Sequence, residues 1–330
     1  MLSNPEMALF GYLAIFLFSL LVSYISLSVL VPFLKKRRIV GKDVNKKGRP
    51  EVAEMGGFSI VVGFSAGVLL ALLMNTFLGM EMNTLYILAG LSTIQLLTIL
   101  GIIDDLVGMP QWAKASIPLF AAAPLVAVSA SGSTALAVPF LGTIDFGIFY
   151  TIILIPVGVA VASNLTNMLA GFNGIEAGMG AVIFACMIMI AAAYLNTEML
   201  VLFIPMLGAL LGFLPKNWYP AGVFPGDVGT LTIGAVLATG VIIGNMESAG
   251  ALVLLLFVGD FFIKLINKFP SSNWWGELRE DGKLYPLEGR VRSLCQLIMK
   301  LAGGIREQSL VLVMMGLQLL LGLVILLLFL

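Results

Sequence analysis

Two adjacent carboxylates end a long apolar stretch of the sequence and suggest chemistry with a cation or a phosphate. Asp104 and Asp105 repel each other, so they favour a bound cation or a cationic side chain, and Lys114 follows close behind them. Carboxylate oxygens suit Mg²⁺, which takes one or two protein carboxylates together with substrate phosphates. The simpler alternative is a pair of interfacial acids, but the helix dipole disfavours acids at the C-terminal end of a helix.

A cluster of amides and glycines lies where one apolar stretch ends and the next begins. It consists of Asn164, Asn167, Gly171, Asn173 and Gly174. Asn164 and Asn167 are three residues apart and share a helical face. Amides at membrane depth are costly unless they are paired or face a cavity, and glycine lets the backbone approach a ligand closely. Helix packing accounts for one such amide, so three of them favour a polar site.

Charged residues at other ends of apolar stretches complete the set. Asp227 opens one stretch at a predicted helix N-terminus, beside free N–H groups, a position that anion and metal sites often have. An N-cap aspartate is nevertheless the better explanation of this residue alone. Arg290 and Arg292 offer guanidinium groups to phosphate, with a purely topogenic basic loop as the alternative. Asp260 and Lys264 are four residues apart and are interpreted as a neutralising structural pair.

Scarce and absent residue types narrow the chemistry further. The chain has no histidine, which removes the commonest general base and transition-metal ligand. Its two cysteines, Cys186 and Cys295, are far apart in different settings, so we expect no disulfide framework. A formal net charge of zero gives no reason to expect nucleic acid as a partner. Catalysis would rest on carboxylates, amides, Lys, Arg or a hard cation.

The elements that must position these residues are membrane helices. Of the 330 residues, 60% are hydrophobic and only 11% are charged, and the mean hydropathy is +1.06. A soluble domain would carry about twice that charged fraction. A span needs about 20 apolar residues, and the sequence predicts ten spans. They lie at about 7–34, 57–79, 84–103, 112–130, 147–166, 176–195, 199–214, 228–245, 249–268 and 308–330.

The charge distribution supports this layout independently. The ten spans leave five polar segments on one side, and all 18 Lys and Arg residues fall in or beside them. By the positive-inside rule this side is cytoplasmic, and both termini are extracytoplasmic. The expected fold is an all-α integral membrane protein, a single polytopic domain over residues 1–330, with an active site formed by cytoplasmic loops. The polar segments are 35–56, 104–111, 167–175, 215–227 and 269–307, the last being the loop before the final span.

Taken in order, the motifs resemble those of the polyprenyl-phosphate N-acetylhexosamine-1-phosphate transferases. That family, of the glycosyltransferase family 4 type, includes the bacterial phospho-MurNAc-pentapeptide translocase and the dolichyl-phosphate GlcNAc-1-phosphotransferase. The resemblance covers essentially the whole chain, and its amide–glycine string is quite specific. The motifs are Lys42-Asp43-x-Asn45, Gly56-Gly57, Asp104-Asp105, Asn164-x-x-Asn167-x-x-Ala170-Gly171-x-Asn173-Gly174-x-Glu176 and Gly226-Asp227-x-Gly229.

One departure from the family pattern is informative. Bacterial members carry a His-rich motif in the last inner loop, and this chain has no histidine. Arg290-Val291-Arg292 resembles instead the Arg-x-Arg of the dolichol-type enzymes. The chain also lacks the long insertion of the eukaryotic members. The resemblance therefore suggests an archaeal enzyme of the dolichol branch.

The resemblance implies a reaction and a role for each motif residue. A UDP-HexNAc donor, most simply UDP-GlcNAc, would pass HexNAc-1-phosphate to a polyprenyl or dolichyl phosphate and release UMP. The implied cofactor is Mg²⁺, with Mn²⁺ as a substitute. The implied metal ligands are Asn167 and Asp227. The implied catalytic residues are Asp104, Asp105, Lys114 and Asn164. The implied donor-binding residues are Asp43, Glu54, Gly171, Asn173, Gly174, Glu176, Arg290 and Arg292.

Three alternatives stay open at the level of sequence. A membrane transporter or lipid carrier is the alternative function, but its intramembrane acids should lie near the midplane, between repeated halves. Direct attack by the lipid phosphate is favoured over a phospho-enzyme on Asp227 or Asp104, because a phosphate monoester is already largely ionised at pH 7. The resemblance also leaves open whether the chain works alone or as a homodimer among the membrane lipids.

Overall fold

The computed structural model describes residues 5–129, 133–138, 142–269 and 274–330, and it is mostly helical. Within these residues nine helical segments are long and apolar enough to cross a membrane, and a bent helix pair can supply a tenth span. The helices are α1 Pro5–Lys36, α2 Gly57–Leu78, α3 Thr84–Val107, α4 Gln111–Ala121, α5 Ala123–Ser129, α6 Ile155–Met168, α7 Ile175–Ala193, α8 Thr197–Asn217, α9 Gly226–Ile243, α10 Glu247–Val253, α11 Leu255–Ile266, α12 Leu294–Leu301 and α13 Glu307–Phe329. The prediction of a mostly helical fold with nine or ten membrane-spanning helices is thereby confirmed, whereas the strictly all-α class is not, because short strands are also present.

Two predicted spans each consist of two helical segments, and one of these spans is sharply bent. The fourth is built from α4 and α5, and residue 130, at its predicted end, lies outside the described residues. The ninth consists of α10 and α11, which meet at Leu254 with a bend of 56°. A hydropathy pattern shows how long an apolar stretch is but not whether its helix axis changes direction, so it could not reveal the bend. The fifth span begins with a π-helical turn, Tyr150–Leu154, that leads into α6.

Three short antiparallel hairpins supplement the helices. They are β1 Val40–Lys42 with β2 Glu51–Ala53, β3 Ala135–Val138 with β4 Gly142–Asp145, and β5 Gly276–Leu278 with β6 Leu284–Pro286. The predicted loop 269–307 is therefore a structured segment that holds β5, β6 and α12, although its residues 270–273 lie outside the described residues. Strands of three or four residues are too short to give an alternating pattern, which is why the sequence did not indicate them.

The core of the bundle is formed by α7, α8 and α9, the most buried of the spans. Helix α1 packs on α2 and α8, α3 and α6 pack on α9, and α13 packs on α7. Phe184 of α7 and Phe203 of α8 are fully buried, with ring centroids 5.4 Å apart. Helix α9 is thus held by several neighbouring helices, among them α3 and α6. This packing is important for the site because Asp227 lies in the first turn of α9.

Glycines allow several of these helices to touch backbone to backbone. A Cβ atom at Gly101 of α3 would lie 2.6 Å from the Cα atom of Val228, and one at Gly57 of α2 would lie 2.3 Å from the Cα atom of Gly229. Such distances leave no room for a side chain, so α2 and α3 approach the start of α9 directly. These glycines thus fix the position of the start of α9, which carries Asp227, relative to α2 and α3.

The polar segments with basic residues meet at one end of the bundle, which we call the basic end. Backbone hydrogen bonds of 2.8 Å join Gly56 to Phe224, Gly57 to Pro225, and Phe224 to Ala53. At the opposite end the backbone N–H of Asn83 donates to Glu198 at 2.9 Å. The alternation of loops predicted from the charge pattern therefore agrees with the spatial arrangement.

Cysteine labelling tests this arrangement. Lys47 and Lys283 are exposed at the basic end, whereas Glu81 is exposed in the loop between α2 and α3 at the opposite end. We expect Lys47→Cys and Lys283→Cys to react with a membrane-impermeant maleimide from the same side and Glu81→Cys from the other. Both native cysteines are buried and give little background. Labelling of Lys47→Cys and Glu81→Cys from one side would contradict the fold.

Candidate active site

Lys114 of α4 lies between carboxylates from two other helices. Its Nζ atom is 2.5 Å from Oδ2 of Asp104 on α3 and 3.2 Å from Oδ2 of Asp227 on α9. Asp104 is buried and its Oδ1 accepts the backbone N–H of Met109 at 2.8 Å, which closes the turn after α3. The Lys114 and Asp227 side chains keep about a quarter of their surface exposed. We call Asp104, Asp105, Lys114 and Asp227 the carboxylate–lysine cluster.

Asp105 has a different role from its neighbour in this cluster. Its two carboxylate oxygens accept the backbone N–H groups of Asp227 at 2.8 Å and Val228 at 3.1 Å, at the start of α9. The expectation that Asp227 lies beside free N–H groups is therefore wrong, because Asp105 occupies them. Gly226 has φ +67°, and a Cβ atom there would lie 2.6 Å from Oδ2 of Asp105, so the turn requires glycine. Asp105 positions Asp227 from outside its helix.

The predicted amides of α6 face this cluster. Asn164 donates to the carbonyl oxygens of Ala160 at 2.9 Å and Lys114 at 3.2 Å, which joins α6 to α4. Oδ1 of Asn167 accepts from Oγ1 of Thr230 at 3.0 Å, which joins α6 to α9. Sequence reasoning missed Thr230, although it lies three residues after Asp227 and so shares its helical face.

The cluster offers oxygen donors that fit a hard cation. Within the described residues no group of three or more His, Cys, Asp or Glu side chains is arranged to hold a metal by itself. Mg²⁺ does not need one, since it commonly binds one or two carboxylates and completes its shell with water and substrate phosphates. Asp227 and the nearby amide oxygen of Asn167 match that donor chemistry, with substrate oxygens as the remaining ligands.

A second network, which we call the loop clamp, joins three segments of the basic end. Oδ2 of Asp43 accepts from Nδ2 of Asn173 at 3.1 Å and pairs with Nζ of Lys46 at 3.1 Å. Lys46 also pairs with Glu307, whose Oε1 accepts the backbone N–H of Asn173 at 2.8 Å. Sequence reasoning missed Lys46 and Glu307, although a carboxylate in the first turn of an apolar span is a signal. Asp43 and Asn173 are buried, so they hold the loops together whatever they bind.

The glycines of the amide string are fixed by aromatic rings. Gly171 has φ +99°, and a Cβ atom there would lie 1.9 Å from the ring of Trp274, while Gly174 has φ +90° and faces Trp218. Gly171 donates its N–H to Glu176 at 2.7 Å, and its carbonyl oxygen accepts from Asn45 at 2.9 Å. Close packing therefore explains both glycines and the buried Glu176, and their contact with a ligand stays a prediction.

Glu54 and the two arginines lie at the margin of these clusters. Burial, and secondarily the charge of Asp105, raises the pKa of the Glu54 carboxyl above its ordinary value. Nη2 of Arg292 lies 2.7 Å from Oε2 of Glu288, while its buried Nη1 has no hydrogen-bond partner among the described residues. An unpaired buried guanidinium nitrogen is costly unless it meets an acceptor. Arg290 is exposed.

Comparison with known proteins gives the family of the chain. The sequence pattern of glycosyl transferase family 4 matches residues 85–245, which include all of the carboxylate–lysine cluster. A protein of Saccharolobus solfataricus is 35% identical over 304 residues, covering 92% of each chain. The chain belongs to glycosyl transferase family 4. That relative is provisionally named a UDP-N-acetylglucosamine–dolichyl-phosphate N-acetylglucosaminephosphotransferase. The family resemblance predicted from the motifs is thus confirmed.

Two further relatives are similar over much of the chain. The UDP-N-acetylglucosamine–dolichyl-phosphate N-acetylglucosaminephosphotransferase of Dictyostelium discoideum is 29% identical over 276 residues, which is 72% of this chain and 67% of its own. A phospho-N-acetylmuramoyl-pentapeptide-transferase of Latilactobacillus sakei is 31% identical over 223 residues, which is 64% of this chain and 67% of its own. Both dolichol-type and bacterial members of the family are therefore similar to this chain.

Removal of the Asp105 carboxylate tests its role at the start of α9. We expect Asp105→Ala to lower the free energy of unfolding by about 1–3 kcal/mol, because two backbone N–H groups lose their charged acceptor. Asp105→Asn keeps one acceptor oxygen and should lose less. Thermal melting in detergent measures both, with the exposed Glu280→Ala as control. Equal melting temperatures for Asp105→Ala and the wild type would contradict the assignment.

Proposed function

We propose that this family 4 member transfers N-acetylglucosamine-1-phosphate from UDP-N-acetylglucosamine to a dolichyl or related polyprenyl phosphate and releases UMP. The carboxylate–lysine cluster carries the proposal, because it combines a half-buried cation with oxygen donors for a metal at one end of a membrane bundle. Two relatives, one named for dolichyl phosphate and one for phospho-N-acetylmuramoyl-pentapeptide, are both named as transferases of a phosphosugar. The product is a polyprenyl-diphospho-sugar.

The reaction needs two anions to meet. An oxygen of the lipid phosphate attacks the β-phosphorus of the donor, the bond between the two donor phosphates breaks, and UMP leaves with the bridging oxygen. The acceptor has a second pKa of about 6 and is largely ionised at pH 7, so it needs little activation. Phosphoryl transfer then depends mainly on positioning and on neutralising charge. We therefore propose direct transfer without a phospho-enzyme.

Three residues of the carboxylate–lysine cluster and two amides of α6 have a task in this scheme. Lys114 neutralises and orients phosphate oxygens, and Asp104 holds the Lys114 ammonium in place. Asp227 and Asn167 would hold Mg²⁺, or Mn²⁺ as its substitute. When bound, the metal supplies charge stabilisation on the donor diphosphate. Asn164 fixes the backbone of Lys114, so the lysine approaches from a defined direction.

The donor side of the site is proposed to use the loop clamp and the segment Arg290–Arg292, which we call the Arg292 segment. Arg292 has a free buried nitrogen and a planar fork that suits a phosphate or sugar oxygen, with the exposed Arg290 beside it. The nucleoside would lie toward the amides and glycines between α6 and α7. Its proposed neighbours are Asp43, Glu54, Gly171, Asn173, Gly174 and Glu176.

The basic end is proposed to face the cytoplasm. All Lys and Arg residues lie in segments of this end or within a turn or two of it, and the positive-inside rule places such segments on the cytoplasmic side. Both termini would then be extracytoplasmic. Nucleotide-sugar donors are soluble, so a cytoplasmic opening gives the donor direct access while the lipid acceptor enters from the bilayer.

A transferase assay tests the function directly. We expect the purified protein to release UMP when given UDP-N-acetylglucosamine and a short dolichyl phosphate, and to release none without the acceptor. Labelled UMP should not exchange into the donor when acceptor is absent. Exchange under that condition would favour a two-step route, and lipid movement without UMP release would favour a transporter or lipid carrier.

Loss of the Asp227 carboxylate tests the proposed metal site. We expect Asp227→Ala to reduce kcat by about 10³-fold, because a charged metal ligand is lost. Glu280→Ala is the surface control. Wild-type turnover should also stop in excess EDTA and return with Mg²⁺ or Mn²⁺. Full turnover in EDTA would remove the metal from the scheme.

Replacement of Arg292 by lysine tests the guanidinium fork. Lysine keeps the positive charge but loses the planar pair of donors, so we expect the KM for the donor to rise by about 10-fold. Arg279→Lys, on the exposed hairpin, is the matched control. An unchanged KM and kcat in Arg292→Lys would assign the segment to membrane topology alone.

A further inference from the structure

Asp260 and Lys264 form a buried ion pair on α11, after the bend of the ninth span. Their side chains are 1% and 11% exposed, and Nζ of Lys264 lies 2.7 Å from Oδ2 of Asp260. The spacing of four residues predicts this pair, and the predicted neutralisation is confirmed. Neutralisation alone does not explain why charged residues are used, since a well-packed apolar pair is commonly as stable as a buried ion pair.

The lysine makes a second contact with the end of α6. Its Nζ donates to the carbonyl oxygen of Met168, the last residue of α6 and the neighbour of Asn167. The last carbonyl groups of a helix have no partner within the helix, and a cation is stabilised there by the helix dipole. Lys264 therefore fixes the end of α6 that carries Asn167.

The aspartate makes a second contact with the start of α12. Its Oδ1 accepts the backbone N–H of Leu294 at 2.7 Å, the first residue of α12. Ser293 caps the same turn by accepting from Gln296 at 3.2 Å, and Oε1 of Gln296 accepts the backbone N–H of Arg292 at 2.7 Å. Asp260 therefore anchors the turn that sets the backbone of Arg292.

We propose that Asp260 and Lys264 are positioning residues that fix the distance between the Asn167 end of α6 and the Arg292 segment. This inference rests on the proposed function, since it concerns residues assigned to the metal and to the donor. Each charge of the pair lies against the helix terminus of opposite polarity, a negative group at an N-terminus and a positive group at a C-terminus. Packing of α11 on both α6 and α12 gives the pair a rigid base.

Two double variants that are both electrically neutral separate positioning from neutralisation. Asp260→Asn/Lys264→Gln keeps an acceptor for Leu294 and a donor for Met168, so it should retain turnover within about threefold of the wild type. Asp260→Leu/Lys264→Met keeps neither bond. We expect its kcat/KM to fall by about 10- to 100-fold, because small displacements of reacting groups are costly. If the pair only neutralises charge, both variants will behave alike, which would overturn the inference.

Two further variants, which we call half-tethered, each lose one of the two hydrogen bonds to a helix terminus and keep the other. They add a readout that a general loss of stability would not produce. Asp260→Asn/Lys264→Met loses only the bond to Met168, so it should lower kcat and raise the Mg²⁺ concentration needed for half-maximal rate. Asp260→Leu/Lys264→Gln loses only the bond to Leu294, so it should raise the donor KM and weaken UDP-N-acetylglucosamine binding in calorimetry without acceptor. Equal effects on both quantities in the two variants would contradict positioning.

The controls distinguish failure of this inference from failure of the proposed function. Wild-type protein without UMP release under any divalent cation would refute the transferase itself. An active wild type with full activity in the apolar double variant would refute only the positioning role. Melting temperatures show which variants are folded, and if Asp260→Leu/Lys264→Met does not fold, the two half-tethered variants decide the question.

Discussion

The arrangement depends on one constraint: charged groups inside an apolar bundle must find partners of opposite charge or partners for their hydrogen bonds. Lys114 meets this constraint for Asp104 and Asp227 at once, and it draws α3, α4 and α9 together in doing so. The same constraint acts on Asp43, Lys46 and Glu307, and again on Asp260 and Lys264. Each of these three polar clusters therefore also connects separate segments of the chain at the basic end.

Glycine residues allow the helices to approach closely enough for these connections to form. The start of α9 touches α2 and α3 through Gly57, Gly229 and Gly101, where no side chain fits. Without that approach, Asp105 could not reach the N–H groups of Asp227 and Val228. Small residues and charges therefore act together: the first set the distance between helices and the second fix their orientation.

Much of this organisation could be predicted from the sequence, for physical reasons. Apolar stretches of span length report helices directly, and the one-sided distribution of Lys and Arg predicts that Asp104, Lys114, Asn167 and Asp227 lie on one face. Partners could not be predicted in the same way, because Asp105 meets Asp227 across 122 residues and Lys46 meets Glu307 across 261. Pairings at such separations follow from tertiary packing, which local patterns do not encode.

The bond between Asp105 and the start of α9 has a consequence for how anions are received. A helix N-terminus usually attracts phosphate through its unpaired N–H groups, but here the N–H groups of Asp227 and Val228 are already neutralised by a protein carboxylate. The helix dipole is therefore used to hold Asp227 and contributes little to the attraction of an incoming anion. In the proposed scheme, recognition of the phosphate groups therefore shifts to the side-chain charges of Lys114 and Arg292, which Asp104 and Glu288 hold in place.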